Sequence, residues 1–461
     1  MLILLGTGNL KSHNLETIAQ SRVEMRRMTN LVRNLAFAAA FSMAIAAIPA
    51  VANEISVPAK PTFYKDVLPI LQENCQDCHR PGGKNMGGMV APMAFIDYKD
   101  TRPWAKGIAK AVASKQMPPW DASPEHAGVF EFERGLTEPE IETIVRWVSS
   151  GAGRGNEADG PEPLEFPDVD GWSIGEPDLI VQMPEPFFVP DDLLDATHYF
   201  KTTLTEEQMP KDRWIKAVEF RAGSAAVHHI IATPIGGIAP GNAPSVYKEG
   251  YSAKLHKGQE IIFNMHYHKE PGAGTGVWDQ SEVAVIFYPE DYVPKHVLET
   301  DPLGTFAINI PPHEKNYVAK AQMTFQTDVL ISQMMPHMHY RGTSAKYDLT
   351  YPDGKEEVLL NVPEYDFNWQ TSYRFKEPKF VPKGTKVTLT GTWDNSEDNP
   401  FNPDPNQRVT WGEATHEEMM FGWISWTNPD EDATGHSGYS KRTVEQSEEF
   451  SERAAAKSGS K

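Results

Sequence analysis

EIIFNMHYH, residues 260–268, reads as a β-strand, and the reading of the chain turns on it. Alternate residues of a strand point to one face, so His266 and His268 share a face and can aim their imidazoles at one metal. Similar short runs recur: Leu179–Gln182, Ala217–Phe220, His229–Thr233, Glu282–Tyr288, Val329–Met334 and Lys386–Trp393. Pro, Gly and Asn-Pro turns separate them, and no long helical period intervenes, which predicts an all-β architecture from Gly171 onward. A span of about 260 residues suggests two β-sandwiches, residues 171–300 and 301–430, joined near Asp301–Pro312.

Two further histidine pairs fall in this region. His337 and His339, in MPHMHY at 335–340, again share a strand face. His228 and His229 are adjacent, so in a straight strand they diverge, and shared ligation needs a bend. Three close pairs among 15 histidines point to metal binding. The region lacks cysteine, has few carboxylates near the histidines apart from Glu270, and is rich in methionine. Imidazole with thioether favours copper; a three-histidine zinc site, or iron held by His268 and Glu270, uses fewer of the pairs.

Earlier in the chain, Cys75, Cys78 and His79 form a C-x-x-C-H sequence that contains both cysteines of the protein. Two thiols at this spacing can add to the vinyl groups of a haem while the histidine ligates its iron, predicting one covalently attached haem c. Met117, 38 residues after His79, opens Met-Pro-Pro-Trp, a rigid loop able to present a thioether as the second axial ligand. Met86, Met89 and Met93 are rivals. Helical patterns are expected over Phe63–Asn74, Arg102–Lys115 and Thr137–Ser149, the last starting with a capping-box pair, Thr137 and Glu140. Three helices and one haem within residues 53–150 resemble a small class I-like cytochrome c domain.

Arg26, Arg27 and Arg33 precede an Ala-rich apolar run that ends at Ala50, Val51 and Ala52, the form of a secretory signal with an A-x-A cleavage site. Residues 1–52 are therefore read as a signal peptide with an over-extended start, giving a periplasmic protein with no membrane span after cleavage. The formal charge of −20 becomes more negative without that basic segment, so nucleic acid and anionic lipid are disfavoured partners. Residues 151–170, rich in Gly, Pro and acids, read as an exposed linker. Residues 431–461 read as a disordered tail.

Over roughly residues 172–427 the chain resembles the copper type II, ascorbate-dependent monooxygenases, the family of peptidylglycine α-hydroxylating monooxygenase and dopamine β-monooxygenase. The resemblance lies in VHHII at 227–231, MHY at 265–267, PHMH at 336–339 and EEMM at 417–420. WSIGEPDL at 172–179 and DNSEDNPFNPDP at 394–405 further resemble bacterial members joined to a cytochrome c module. It implies a multidomain fold: a small all-α cytochrome c domain, then two all-β jelly-roll-like sandwiches. It implies two separated coppers, an electron-transfer copper on His228, His229 and His266 and an oxygen-activating copper on His337, His339 and Met419, with Met420 the alternative if the register slips by one. His268 has no role in the family pattern and reads as a supporting or surface residue.

The implied reaction is hydroxylation of a C–H bond of a small substrate by dioxygen, with an external electron donor, an ascorbate-like reductant or a redox protein, and the tethered haem as relay. Where peptide-amidating members carry an arginine and polar residues for a substrate carboxylate, this chain has Met335, Phe421 and Trp423, which suits a neutral, apolar or aromatic substrate. The animal enzymes also carry disulfides, for which no cysteine is left here. The alternative of a different class is a copper and haem protein that transfers electrons without turnover.

Overall fold

The computed structural model describes residues 57–81, 91, 93–166, 171–239, 242–430 and 444–446. The expected signal peptide, Met86, Met89 and most of the tail lie outside the described residues.

The helical part holds α1 (Leu68–Asn74), entered through a π turn at Phe63–Val67, α2 (Ala105–Ala113) and α3 (Glu138–Ser149), with a single helical turn at Tyr98–Thr101 and short 3-10 turns between them. Thr137 caps α3 as its sequence predicts: the hydroxyl accepts the Glu140 amide, and the Glu140 carboxylate accepts the Thr137 amide at 2.7 Å. Phe63, Leu71, Ile108, Val112, Ile144 and Trp147 pack together as its core. Residues 152–154, read as the start of a free linker, are tied to this core instead. The Phe63 amide and the Trp147 indole both donate to Gly153 O, and the Tyr98 hydroxyl to Ala152 O.

Strands are the dominant regular structure of the described chain. The first β module contains β1 (Leu179–Gln182), β2 (Asp195–Thr203), β3 (Arg213–Arg221), β4 (Val227–Thr233), β5 (Glu260–His268) and β6 (Glu282–Phe287). They form two antiparallel sheets, β1-β6-β3 and β2-β5-β4, with small strands at the edges. Their facing residues, among them Val181, Ile215, Ile230, Phe263, Tyr267 and Val285, make a second core.

The second β module contains β7 (Glu299–Thr305), β8 (Tyr317–Phe325), β9 (Val329–Met338), β10 (Gly342–Thr350), β11 (Glu356–Val362), β12 (Tyr373–Val381), β13 (Lys386–Trp393) and β14 (Met420–Thr427). Its sheets run β7-β14-β9-β12 and β11-β10-β13-β8, and Val444–Gln446 from the expected disordered tail adds an edge strand beside β8. Phe325, Ile331, Tyr347, Leu389, Trp393 and Ile424 lie in the third core. The join expected near Asp301–Pro312 is occupied by β7, which pairs with β14, so the crossing into this module falls before Glu299.

The helical part does not end at its own core. Residues 120–131 leave it and lie on the second β module, where Phe130 is fully buried in the third core and forms a bridge with Phe375. Main-chain bonds Ser123 N to Asn361 O, Glu131 N to Arg374 O and Lys376 N to Val129 O fasten this strap. Trp120 packs edge-on against Tyr373 at 5.2 Å.

Candidate metal centre

In β4 and β5 the register places His266 opposite His229, but the next pair is Tyr267 with Val227. His228 is therefore the extra residue of a β-bulge. The bulge supplies the bend that adjacent histidines need, because an inserted residue re-aims a side chain without ending the ladder. As a result one ring nitrogen from each of His228, His229 and His266 lies within 4.8 Å of the others. His228 and His266 are buried and His229 is half-buried.

His266 donates from Nε2 to Asp195 Oδ2 at 2.9 Å, which turns Nδ1 toward His229 Nδ1 at 3.3 Å. Burial alone would raise the Asp195 carboxyl. Hydrogen bonds from His266 and His268 and the His266 charge outweigh that, holding the acid well below the usual carboxylate range. A carboxylate behind an imidazole is the arrangement that fixes a ligating tautomer. Both ring nitrogens of His228 are buried with no hydrogen-bond partner. Leaving such groups unmet costs on the order of 1–3 kcal/mol each, so a cation between the three rings would relieve the deficit.

The second group sits at the end of β9. His337 and His339 project from one face, ring centroids 5.3 Å apart. His337 Nδ1 donates to Gln370 Oε1 at 2.7 Å and His339 Nδ1 faces Glu417 O at 3.3 Å, which leaves both Nε2 lone pairs free. Burial pushes His337 down to about 4 and, with the neighbouring histidines, pushes His228, His229 and His339 well below the ordinary histidine range. All four are thus neutral at pH 7, the form a metal needs.

The β14 register separates the two candidate methionines. Met420 pairs with Met338 and lies in the third core, 1% exposed. Glu418, also fully buried, accepts the Arg341 and His339 amides and the Trp393 indole N–H, and burial pushes its carboxyl up to about 7. With Glu418 and Met420 both inward, extended backbone directs the half-buried Met419 to the opposite side, the face that carries Phe421, the partner of His337. On that face Trp423 pairs with Met335, and Phe306 stacks edge-on to Trp411 at 4.8 Å and to Phe421 at 6.0 Å. The floor beside His337 is aromatic and thioether.

The two histidine groups are not the separated cages that the family resemblance implies. His229 and His337 have ring centroids 5.8 Å apart, so the groups adjoin across the cleft between the β modules. The side chains that bridge the cleft account for this. Phe367 of the second module stacks flat on His228 at 4.5 Å and meets Tyr340 and His339 at its edges. Asn242 donates to Gln370 O, and Thr415 donates to Asp195. His268 is a cleft residue too, within 3.1 Å of the Tyr340 hydroxyl.

No protein-family model matches this chain. No curated protein matches it either. Among solved structures, that of a protein from Eubacterium rectale matches over 50% of this chain and 69% of its own, at 12% identity and a TM-score of 0.19, a likeness that carries no inference. No helix among the described residues is long and apolar enough to cross a membrane.

At the C-x-x-C-H sequence neither cysteine is in a disulfide, and burial, with Cys78 next to it, pushes the Cys75 thiol up to about 12. His79 lies flat against Phe95 at 4.3 Å and donates Nδ1–H to Met93 O at 3.2 Å, which leaves Nε2 as the nitrogen that could ligate. The donor set therefore fits a haem held by two thioethers and an imidazole. Met93 meets His79 through its backbone carbonyl, and its side chain packs on the helical core. Met117 is half-buried at the exit of α2, with its amide on Ala111 O, immediately before the strap.

Asp195, Phe367, Gln370 and Thr415 carry no motif and escape a sequence reading. Glu417 and Glu418, inside EEMM, and Tyr340, at the end of MPHMHY, lay within stretches already singled out.

Proposed function

We propose that this protein is an exported, copper- and haem-dependent monooxygenase that hydroxylates a C–H bond of a small, neutral, apolar or aromatic substrate. The observation that carries the proposal is the meeting of two histidine groups, one with orphaned ring nitrogens, beside an aromatic floor.

His228, His229 and His266 would hold one copper, and His337, His339 and Met419 the other. Bound copper supplies one-electron redox chemistry and activation of dioxygen, and a haem on Cys75, Cys78 and His79 supplies a one-electron store. The chain's own residues do the rest. Asp195, Gln370 and the Glu417 carbonyl fix which ring nitrogen each histidine offers. Phe421, Trp423 and Met335 offer an apolar substrate contact area and no counter-charge for a carboxylate. Phe367 stacks flat over the His228 ring.

Metal analysis with a haem stain on the purified protein tests the binding part, with two coppers and one haem per chain expected. Oxygen consumption with copper and a reductant, screened over aromatic and aliphatic substrates, tests turnover. Copper and haem without substrate-dependent oxygen uptake would instead favour an electron-transfer protein. Absence of copper binding would end the proposal.

A further inference from the structure

We infer that the Asp195–Thr415 contact couples the two histidine groups, so that filling one raises the metal affinity of the other. The inference rests on the metal-binding reading above.

Asp195 starts β2 and pairs with His268 of β5, and its side chain is 6% exposed. Each module uses part of its carboxylate. Oδ2 accepts from His266 Nε2 at 2.9 Å and from the Thr415 hydroxyl at 2.8 Å, while Oδ1 accepts the Thr415 amide at 3.1 Å. Thr415 is itself buried, 1% exposed, in a turn that its neighbours close: Glu417 N–H donates to Ala414 O, and Ala414 N–H to Glu417 Oε2.

That turn leads directly into the second group. The carbonyl of Glu417 meets His339 Nδ1, Glu418 holds the His339 and Arg341 amides, and Met419 follows. A cation on His266 Nδ1 draws density from the ring and makes Nε2–H a stronger donor to Asp195. The carboxylate is then held more firmly, and with it the Thr415 turn that carries three of the groups around His339. Asp195 and Thr415 touch no metal position themselves and are positioning residues. Linkage makes the effect reciprocal.

Copper(I) titration of the full chain against a chromophoric chelator measures this without any turnover. Removing the second group by the double substitution His337→Ala, His339→Ala is expected to weaken copper at the His228/His229/His266 group by about 5- to 150-fold, the range typical of coupled sites. With Thr415→Val added, the same removal should change that affinity less than about 2-fold, and Thr415→Ser should restore the coupling because it keeps the hydroxyl. Thr415→Ala, smaller than Val, gives the same reading should Val disturb folding. Equal coupling in the Val or Ala variant and the native chain would overturn the inference, as would no coupling in the native chain. Failure of the native protein to bind copper at all would instead overturn the metal-binding reading, and the inference with it.

Discussion

At the scale of single residues, the site depends on nitrogens that have been stripped of water and left neutral. His228 is the extreme case, buried under Phe367 with neither nitrogen partnered. His228→Ala should therefore lower bound copper by one equivalent without lowering the thermal midpoint of the metal-free protein much, since it removes two unmet polar groups along with packing; metal analysis beside calorimetry checks both. Asp121 offers a pH-dependent counterpart away from the histidines. Burial, with Asp366 and Glu364 nearby, pushes its carboxyl up to about 7. A folded-state value above the unfolded one means its contribution is fully present below about pH 4 and is lost as pH rises through 7. Asp121→Asn should accordingly match the native chain near pH 4 and exceed it in stability by on the order of 1–2 kcal/mol at pH 8. Equal denaturation midpoints at pH 8 would contradict this.

At the scale of elements, bulges and edges decide where side chains point. The bulge at His228 turns two adjacent histidines toward one point, which a regular strand cannot do. In β14, Gly422 sits opposite Pro336 with no room for a side chain: an added methyl would strike the Tyr347 hydroxyl and lie 2.7 Å from Leu389. Gly422→Ala is expected to cost about 1–3 kcal/mol in denaturant melts by overpacking, with copper binding weakened because β14 positions Met419. Several elements were legible: β1, β5 and β13 fall where alternation puts them, and the capping box starts α3 at the expected residue. Others were hidden for identifiable reasons. β7 contains Pro302 and Gly304, and β12 contains Pro378, residues that argue against a strand yet are tolerated here because both strands lie at a sheet edge. β2, DATHYFKTT, is mostly polar, places its two aromatics side by side and leaves every residue at least partly exposed, so it gives little apolar signal.

At the scale of the whole molecule, the modules are joined by specific contacts. The strap from Trp120 to Glu131 inserts Phe130 into the core of the second β module. Phe130→Ala should destabilise by about 3 kcal/mol or more and open the strap to limited proteolysis between residues 120 and 131 while α1 to α3 stay protected; uniform cleavage across the helical part would show that the strap is not a separate unit. Metal should act on the molecule as a ligand that binds only the folded state. Added copper is expected to raise the thermal midpoint, by a free energy of about 4 kcal/mol at a thousandfold excess over the dissociation constant. A chelator should reverse the rise, and His337→Ala should reduce it.

The sequence by itself determined which groups are available: C-x-x-C-H, His337-x-His339, the adjacent His228 and His229, and the β periodicity that carries most of them. These are local facts, fixed by spacings of one to four residues, and backbone geometry translates such spacings directly into shared faces. Only the tertiary structure decided that the two histidine groups adjoin, that Met420 belongs to the core while Met419 faces the other way, and that Asp195 and Thr415 join the modules. Asp195 meets a hydroxyl 220 positions away in the chain. Such a meeting follows from how the sheets pack and from where buried polar groups must find partners, and no local pattern encodes it.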